Sequence, residues 1–161
     1  MRAVVQRVTH ARVEIEGEVS GAIERGLLIL LGIEDADTEA DIDWLANKLL
    51  GMRIFGDAEG RMNLSVEDVA GGLLVVSQFT LYASTKKGNR PGFTRSAGPP
   101  VAIPLYERFV ERLGELARTR VQGGEQGAKL PVQTGRFGAD MQVHLLNDGP
   151  VTIIVDTRTR E

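Results

Sequence analysis

The chain has 161 residues, no cysteine, 42% apolar and 25% charged residues, and a formal net charge of −3. That length fits one domain, residues 1–161, burying roughly 70% of the surface its unfolded chain would expose, and the ordinary composition excludes disorder and a coiled coil. Without cysteine there are no disulfides, thiolate zinc sites or cysteine nucleophiles, and no apolar run reaches the ~18 residues of a membrane span or forms a signal peptide, so a cytoplasmic protein away from membranes is expected.

Residues 2–8 begin as a strand, and residues 11–16 alternate strictly, with Ala11, Val13 and Ile15 facing a core and Arg12, Glu14 and Glu16 facing water. A turn at 16–18 lets residues 19–23 return as a partner. Residues 26–33 are apolar at nearly every position, which predicts a central strand buried on both faces. Thr38 with Asp41 resembles a capping box in which an acid replaces the usual Glu or Gln. The helix it starts puts Ile42, Leu45, Ala46, Leu49 and Leu50 on one side and stops near Gly51. Residues 56–63 read as a loop, 64–68 as a short turn, and 73–82 as a buried strand that becomes polar at its end. Residues 83–100 have no period, and unstructured loops of that length in compact domains are usually functional or mobile. A second helix starts near Val101 with Tyr106, Phe109, Val110, Leu113 and Leu116 on one face. A loop at 123–127 and strands at 130–134, 139–146 and 151–155 complete the order. Between the last two, Asn147-Asp148-Gly149-Pro150-Val151-Thr152 places a residue without a Cβ and one without a backbone donor where a ladder would pass, so the ladder must break there. Those six residues alone favour a hairpin turn ending in an edge strand, with a cis X-Pro turn as the alternative. The whole pattern is mixed α/β (α+β), with two helices packed on largely antiparallel sheet.

Familiar catalytic machinery is absent from the sequence. His10 and His144 lie far apart without metal-ligand spacing, and no nucleophile elbow, P-loop or dinucleotide fingerprint occurs, so neither metal nor cofactor is expected. The polar chemistry collects at one strand end, Ser77-Gln78-Phe79-Thr80. Thr80 has no visible base to activate it, whereas backbone N–H groups of Phe79 and Thr80 could stabilise an oxyanion without one, a donor whose loss typically costs about 2.7–4 kcal/mol. An ordinary capped strand end is the competing reading. A net charge of −3 argues against a broad nucleic-acid-coating surface and against DNA as a partner, while leaving room for a local basic patch.

Four segments in order, residues 77–81 (SQFTL), 87–93 (KGNRPGF), 134–141 (TGRFGADM) and 147–152 (NDGPVT), resemble the D-aminoacyl-tRNA deacylase family, and the resemblance runs from residues 1–8 to the C-terminus. Gly92 stands where that family more often has serine. The resemblance implies a barrel-like core carrying two main helices, and a cytoplasmic homodimer with its active site at the subunit interface. It implies hydrolysis of the ester joining a D-amino acid, or glycine on mischarged tRNA, to the terminal adenosine. By the same resemblance Gly149-Pro150 is a cis dipeptide inserted into the partner's pocket, where its carbonyl oxygens occupy the space an L side chain needs, and Arg7 braces that turn. The resemblance further implies that Phe79 and Thr80 hold the oxyanion, that Ser77 and Gln78 shape the pocket, and that the ribose 2′-hydroxyl helps to activate water. It implies that Phe137, Gly138, Ala139 and Met141 surround the terminal adenine, although Phe137 would read equally well as a core aromatic. Lys86, Lys87, Arg90 and Arg95 would meet tRNA phosphates. The alternatives are a non-catalytic module that binds RNA ends, and a structural dimer with a strained turn.

Overall fold

The structure is a computed structural model that describes residues 1–121 and 130–160; the loop expected at 123–127 lies outside the described residues. Strand β1 (Arg2–Ile15) is the spine of the sheet. Along one edge it takes β8 (Gln142–Asp156); along the other it takes β3 (Gly26–Gly32) against Arg2–Val8 and β2 (Glu18–Ile23) against Ala11–Ile15, all antiparallel. From β3 the order continues through β6 (Gly72–Ser77) to β7 (Val132–Thr134), and these two ladders are parallel. A parallel pair needs a long crossover, and helices α1 (Glu39–Gly51) and α2 (Pro99–Val121) lie in the two connections.

The ends of this order return to each other. Ser20 Oγ donates to the Thr134 carbonyl at 3.4 Å, and a Cβ on Gly21 would fall 2.5 Å from that same oxygen. Only glycine lets the two backbones approach so closely, and the sheet curls into a nearly closed barrel.

Alternation along the central strands divides the core in two. Leu27, Ile29 and Leu31 of β3 and Leu73 and Val75 of β6 face the helices, packing with Ile42, Leu45 and Leu49 of α1 and Phe109 and Leu113 of α2. Leu28, Leu74 and Val76 face the barrel interior with Val8, Val13, Ile15 and Ile23. The strand expected to be central and buried on both faces is therefore both. Thr38 caps α1 as its sequence predicts: its backbone N–H donates to Asp41 Oδ2 at 2.9 Å and its hydroxyl to the same oxygen at 2.8 Å. Arg108 and Arg112 of α2 reach Glu39 and Asp43 of α1 at 3.2 and 2.6 Å, lacing the helices on their solvent side.

Four boundaries differ from expectation. The 56–63 loop holds part of a short hairpin, β4 (Phe55–Gly56) with β5 (Met62–Leu64). The strand expected over 73–82 stops at Ser77, and Phe79–Tyr82 winds into a 3-10 helix. Its neighbour β3 ends at Gly32, so after Gln78 N–H bonds to the Leu31 carbonyl at 2.8 Å there is little further ladder to join. Helix α2 starts at Pro99, before Val101, because prolines cost nothing in a first turn whose N–H groups have no intrahelical partner. Finally, the strands expected at 139–146 and 151–155 are one strand, β8. Its register slips between Gln6↔Thr152 and Val8↔Asn147, so residues 148–151 bulge away from β1 and the chain then rejoins it. The ladder breaks as expected, but β1 is long enough to recapture the strand.

Candidate functional site

The end of β6 and the 3-10 helix form one wall of a cleft of about 280 Å³. Ser77 and Gln78 are half-buried there and Phe79 stands at its mouth, while Thr80 is exposed on the rim. The first N–H groups of any helix lack intrahelical acceptors. Here the N–H groups of Phe79 and Thr80 find no acceptor elsewhere among the described residues, and they are the donors this turn has to offer. Gln78 Nε2 donates to Thr80 Oγ1 at 2.5 Å, bracing the rim.

The turn is also held from behind. Arg2 Nη1 donates to the Leu81 carbonyl at 2.9 Å, while Arg2 Nε donates to Asp156 Oδ2 at 2.9 Å. Burial raises the Asp156 carboxyl, but hydrogen bonds from the Arg158 N–H and the Arg2 side chain, with the charges of Arg2 and the N-terminus, outweigh it and leave it below the usual carboxylate range. Tyr82 closes the turn with its ring between the Arg2 and Arg95 guanidiniums, 4.9 and 5.4 Å from the ring centre. Burial first, and then the carboxylates of Asp37, Glu34 and Asp156, push its hydroxyl far above its ordinary value.

The opposite wall comes from the chain entering β8. Gly135 N–H bonds to the Val75 carbonyl at 3.3 Å and Ala139 N–H to the Arg136 carbonyl at 3.2 Å, which folds Phe137, Gly138, Ala139 and Met141 into the cleft. Phe137 is half-buried. Its ring meets Tyr106 at 5.8 Å and 60°, packing against the helix-side core while the residue also lines the cleft. Leu31, Ile33, Val76, Ser96, Ala97, Ala102 and Val143 complete the lining, which among the described residues contains no Asp, Glu, His, Lys or Arg. Among the described residues no group of three or more His, Cys, Asp or Glu is placed to hold a metal ion. What the cleft offers chemically is amide N–H groups, the Gln78 amide and hydroxyls beside apolar walls.

The third expected group lies elsewhere. The Gly149-Pro150 peptide is cis, Gly149 has φ 125°, and both residues are exposed and do not line their own chain's cleft. Arg7 sits beneath this bulge: Nε donates to the Asp148 carbonyl at 3.2 Å and pairs with Asp148 Oδ2 at 3.1 Å, and Nη1 donates to the Ile54 carbonyl at 2.5 Å. Asn147 Nδ2 ties the base together, donating to the carbonyls of Arg7 at 2.9 Å and Val151 at 3.0 Å. Arg7 thus contacts the turn and not the cleft.

Lys86, Lys87 and Arg90 stand exposed on a loop closed by paired backbone bonds between Ser84 and Gly92, and they form no ion pair among the described residues. Arg95 differs from them, since it pairs with Glu34 at 3.5 Å and stacks on Tyr82. Sequence reasoning passed over Arg2, Asn147 and Phe93. Asn147 and Phe93 lay inside quoted motifs without a role of their own, and nothing in a strand arginine announces the distant turn it supports.

A model of the family described as D-Tyr-tRNA(Tyr) deacylase matches residues 4–156. Proteins called D-aminoacyl-tRNA deacylase from Akkermansia muciniphila and Flavobacterium johnsoniae are 60% and 56% identical over 161 residues, covering 100% of both chains in each case. Among solved structures, one described as c-Myc DNA unwinding element binding protein superposes with a TM-score of 0.85 at 41% identity, covering 97% of this chain and 98% of its own. A probable eukaryotic D-amino acid tRNA deacylase has the same fold, with a TM-score of 0.75 at 20% identity over 96% of this chain and 97% of its own.

Proposed function

The chain belongs to the D-Tyr-tRNA(Tyr) deacylase family, hydrolases of aminoacyl-tRNA esters, and from that premise we propose that it cleaves D-amino acids, and glycine on mischarged tRNA, from the terminal adenosine. Residues 1–161 act as one deacylase domain, in the cytoplasm and without a cofactor. The observation that carries this reading is the pair of unpartnered N–H groups at Phe79, which lines the cleft, and at Thr80 beside it, next to a lining that among the described residues has no titratable side chain. An ester carbonyl oxygen over these amides becomes an oxyanion as water attacks, and preorganised donors beside low-dielectric walls favour that charge far more than bulk water does. Among the described residues no base lines the cleft, and the 2′-hydroxyl of the terminal ribose takes part in activating the water. Ser77 and Gln78 shape the ester site. Phe137, Gly138, Ala139 and Met141 enclose the adenine, with the Phe137 ring as a stacking face.

Handedness is selected by a second copy of the chain. The braced, exposed Gly149-Pro150 bulge lies outside its own cleft, and exposed Leu146 and Ile154 on β8 leave apolar surface suited to a homodimer. The partner's carbonyl oxygens then stand where an L side chain would go, while a D side chain points outward and glycine has none. A built-in clash of this kind rejects one hand and tolerates many D side chains. With its cations gathered on one loop and a net charge of −3, the chain suits a single RNA end and not a DNA duplex.

Matched D- and L-aminoacyl-tRNAs test the reading. The D ester is hydrolysed and the L ester spared; equal turnover would remove the chirality filter, and tight binding of tRNA ends without cleavage would make the protein a binding module.

A further inference from the structure

The mouth of the cleft carries an aromatic pair that none of the roles above uses. Phe79 is 55% exposed although its residue lines the cleft. Its ring meets Phe93 at 5.0 Å and 71°, an edge-to-face contact that holds the Phe79 ring at the mouth while leaving much of it exposed. Phe93 follows directly on the Ser84–Gly92 closure of the loop bearing Lys86, Lys87 and Arg90. From Ser77 to Gly98 the sequence contains no acid, in a chain whose net charge is −3.

We infer that Phe79 and Phe93 form a stacking platform for the base of the nucleotide preceding the terminal adenosine, with Lys86, Lys87 and Arg90 facing its phosphates. This rests on the deacylase reading and extends the same site by one nucleotide. Once the adenosine is seated between the cleft walls, the polynucleotide must leave through the mouth, where the exposed ring stands. Single-stranded nucleic acid is held by this combination of a flat aromatic face and nearby cations, and it is sequence-tolerant because every base has a π-face. A protein partner at this place would have to cover three unpaired cations, whereas a phosphate backbone neutralises them.

The test uses two D-aminoacyl esters, one on adenosine alone and one on a short RNA ending in CCA. Phe79→Leu keeps the backbone N–H and removes the ring, and Phe93→Ala removes its support. Each should lower kcat/KM for the RNA ester relative to the adenosine ester by about five- to 150-fold, the range of one base–aromatic stack. Equal losses on both esters, or no loss on either, overturn the platform. A second readout does not need catalysis: uncharged RNA with 2-aminopurine at the penultimate position should be quenched on binding to the wild type and remain bright with Phe79→Leu. Quenching that persists in the variant, or is absent in the wild type, overturns the inference. A wild type that quenches yet cleaves neither ester would instead count against the deacylase reading alone.

Discussion

Arg7 shows how one side chain can govern a site it does not enter. Its fork reaches the Asp148 and Ile54 carbonyls together, and its side chain is only 14% exposed, so those bonds are shielded from water. Lysine is a point donor on a flexible stem and cannot span both acceptors. Arg7→Lys should therefore cost roughly 1.5–3 kcal/mol, the worth of a hydrogen bond to a charged group, seen as a lower urea midpoint. Because the turn it braces is the proposed filter, the same variant should lose discrimination between D and L esters while its turnover of the D ester changes less; an unchanged D/L ratio would disconnect Arg7 from selection. The residue's sequence context, a polar position in an apolar strand, reads the same whether it faces water or a distant turn.

At the scale of elements, local patterns carried most of what could be read. The Thr38–Asp41 cap and the apolar stripe of α1 lie where their spacing puts them, because both are set by residues within a turn or two of each other. The 3-10 helix at Phe79–Tyr82 was not legible, since its start depends on where a different strand, β3, runs out. The continuity of β8 is similar: Gly149-Pro150 breaks the ladder locally, and only the reach of β1 beyond it rejoins the strand. The loop at 84–92 has the opposite character, with charge legible and position not. If its cations meet RNA phosphates, replacing Lys86, Lys87 and Arg90 with alanine should flatten the dependence of log KM on log salt for the CCA-ended ester, each lost contact removing about 0.7 from the slope for a single strand. The adenosine ester should show no such change, and a parallel change in both would place the loop's effect elsewhere.

At the scale of the whole molecule, closure of the barrel and the hydrogen-bonded carboxylates that tie its connections down both contribute to stability. Gly21→Ala places a methyl 2.5 Å from the Thr134 carbonyl oxygen, a backbone atom that can yield only by opening the β2–β7 contact. The expected loss is about 1–3 kcal/mol, as for an overpacked core, measured by denaturant unfolding. Asp41, Asp68 and Asp156 all have carboxyls below their ordinary value. For Asp41, burial raises it, but bonds from the Thr38 and Thr157 hydroxyls and the Thr38 N–H, with Arg158, outweigh burial; for Asp68, the Ser65 N–H and hydroxyl lower it directly. A depressed carboxyl binds its proton more readily unfolded than folded, so these groups stabilise the fold above the unfolded value of 3.8 and cease to as pH falls through their lower folded values. The unfolding midpoint should thus drop steeply below about pH 4, with the Asp41→Asn variant losing part of that slope. A midpoint that holds level to pH 2 would contradict the pairings.

The sequence by itself determined the two helices and the long strands, the two-faced burial of β3 and the four motifs that mark the family, because each is written in near-neighbour spacing or residue chemistry. The tertiary structure decided which motifs meet. It brings residues 77–79 together with Phe137, Gly138, Ala139 and Met141 in one cleft and sends Gly149-Pro150 to an exposed bulge, since such encounters depend on the curl of the sheet and on where each strand's partner ends, and neither is encoded within any single stretch of the chain.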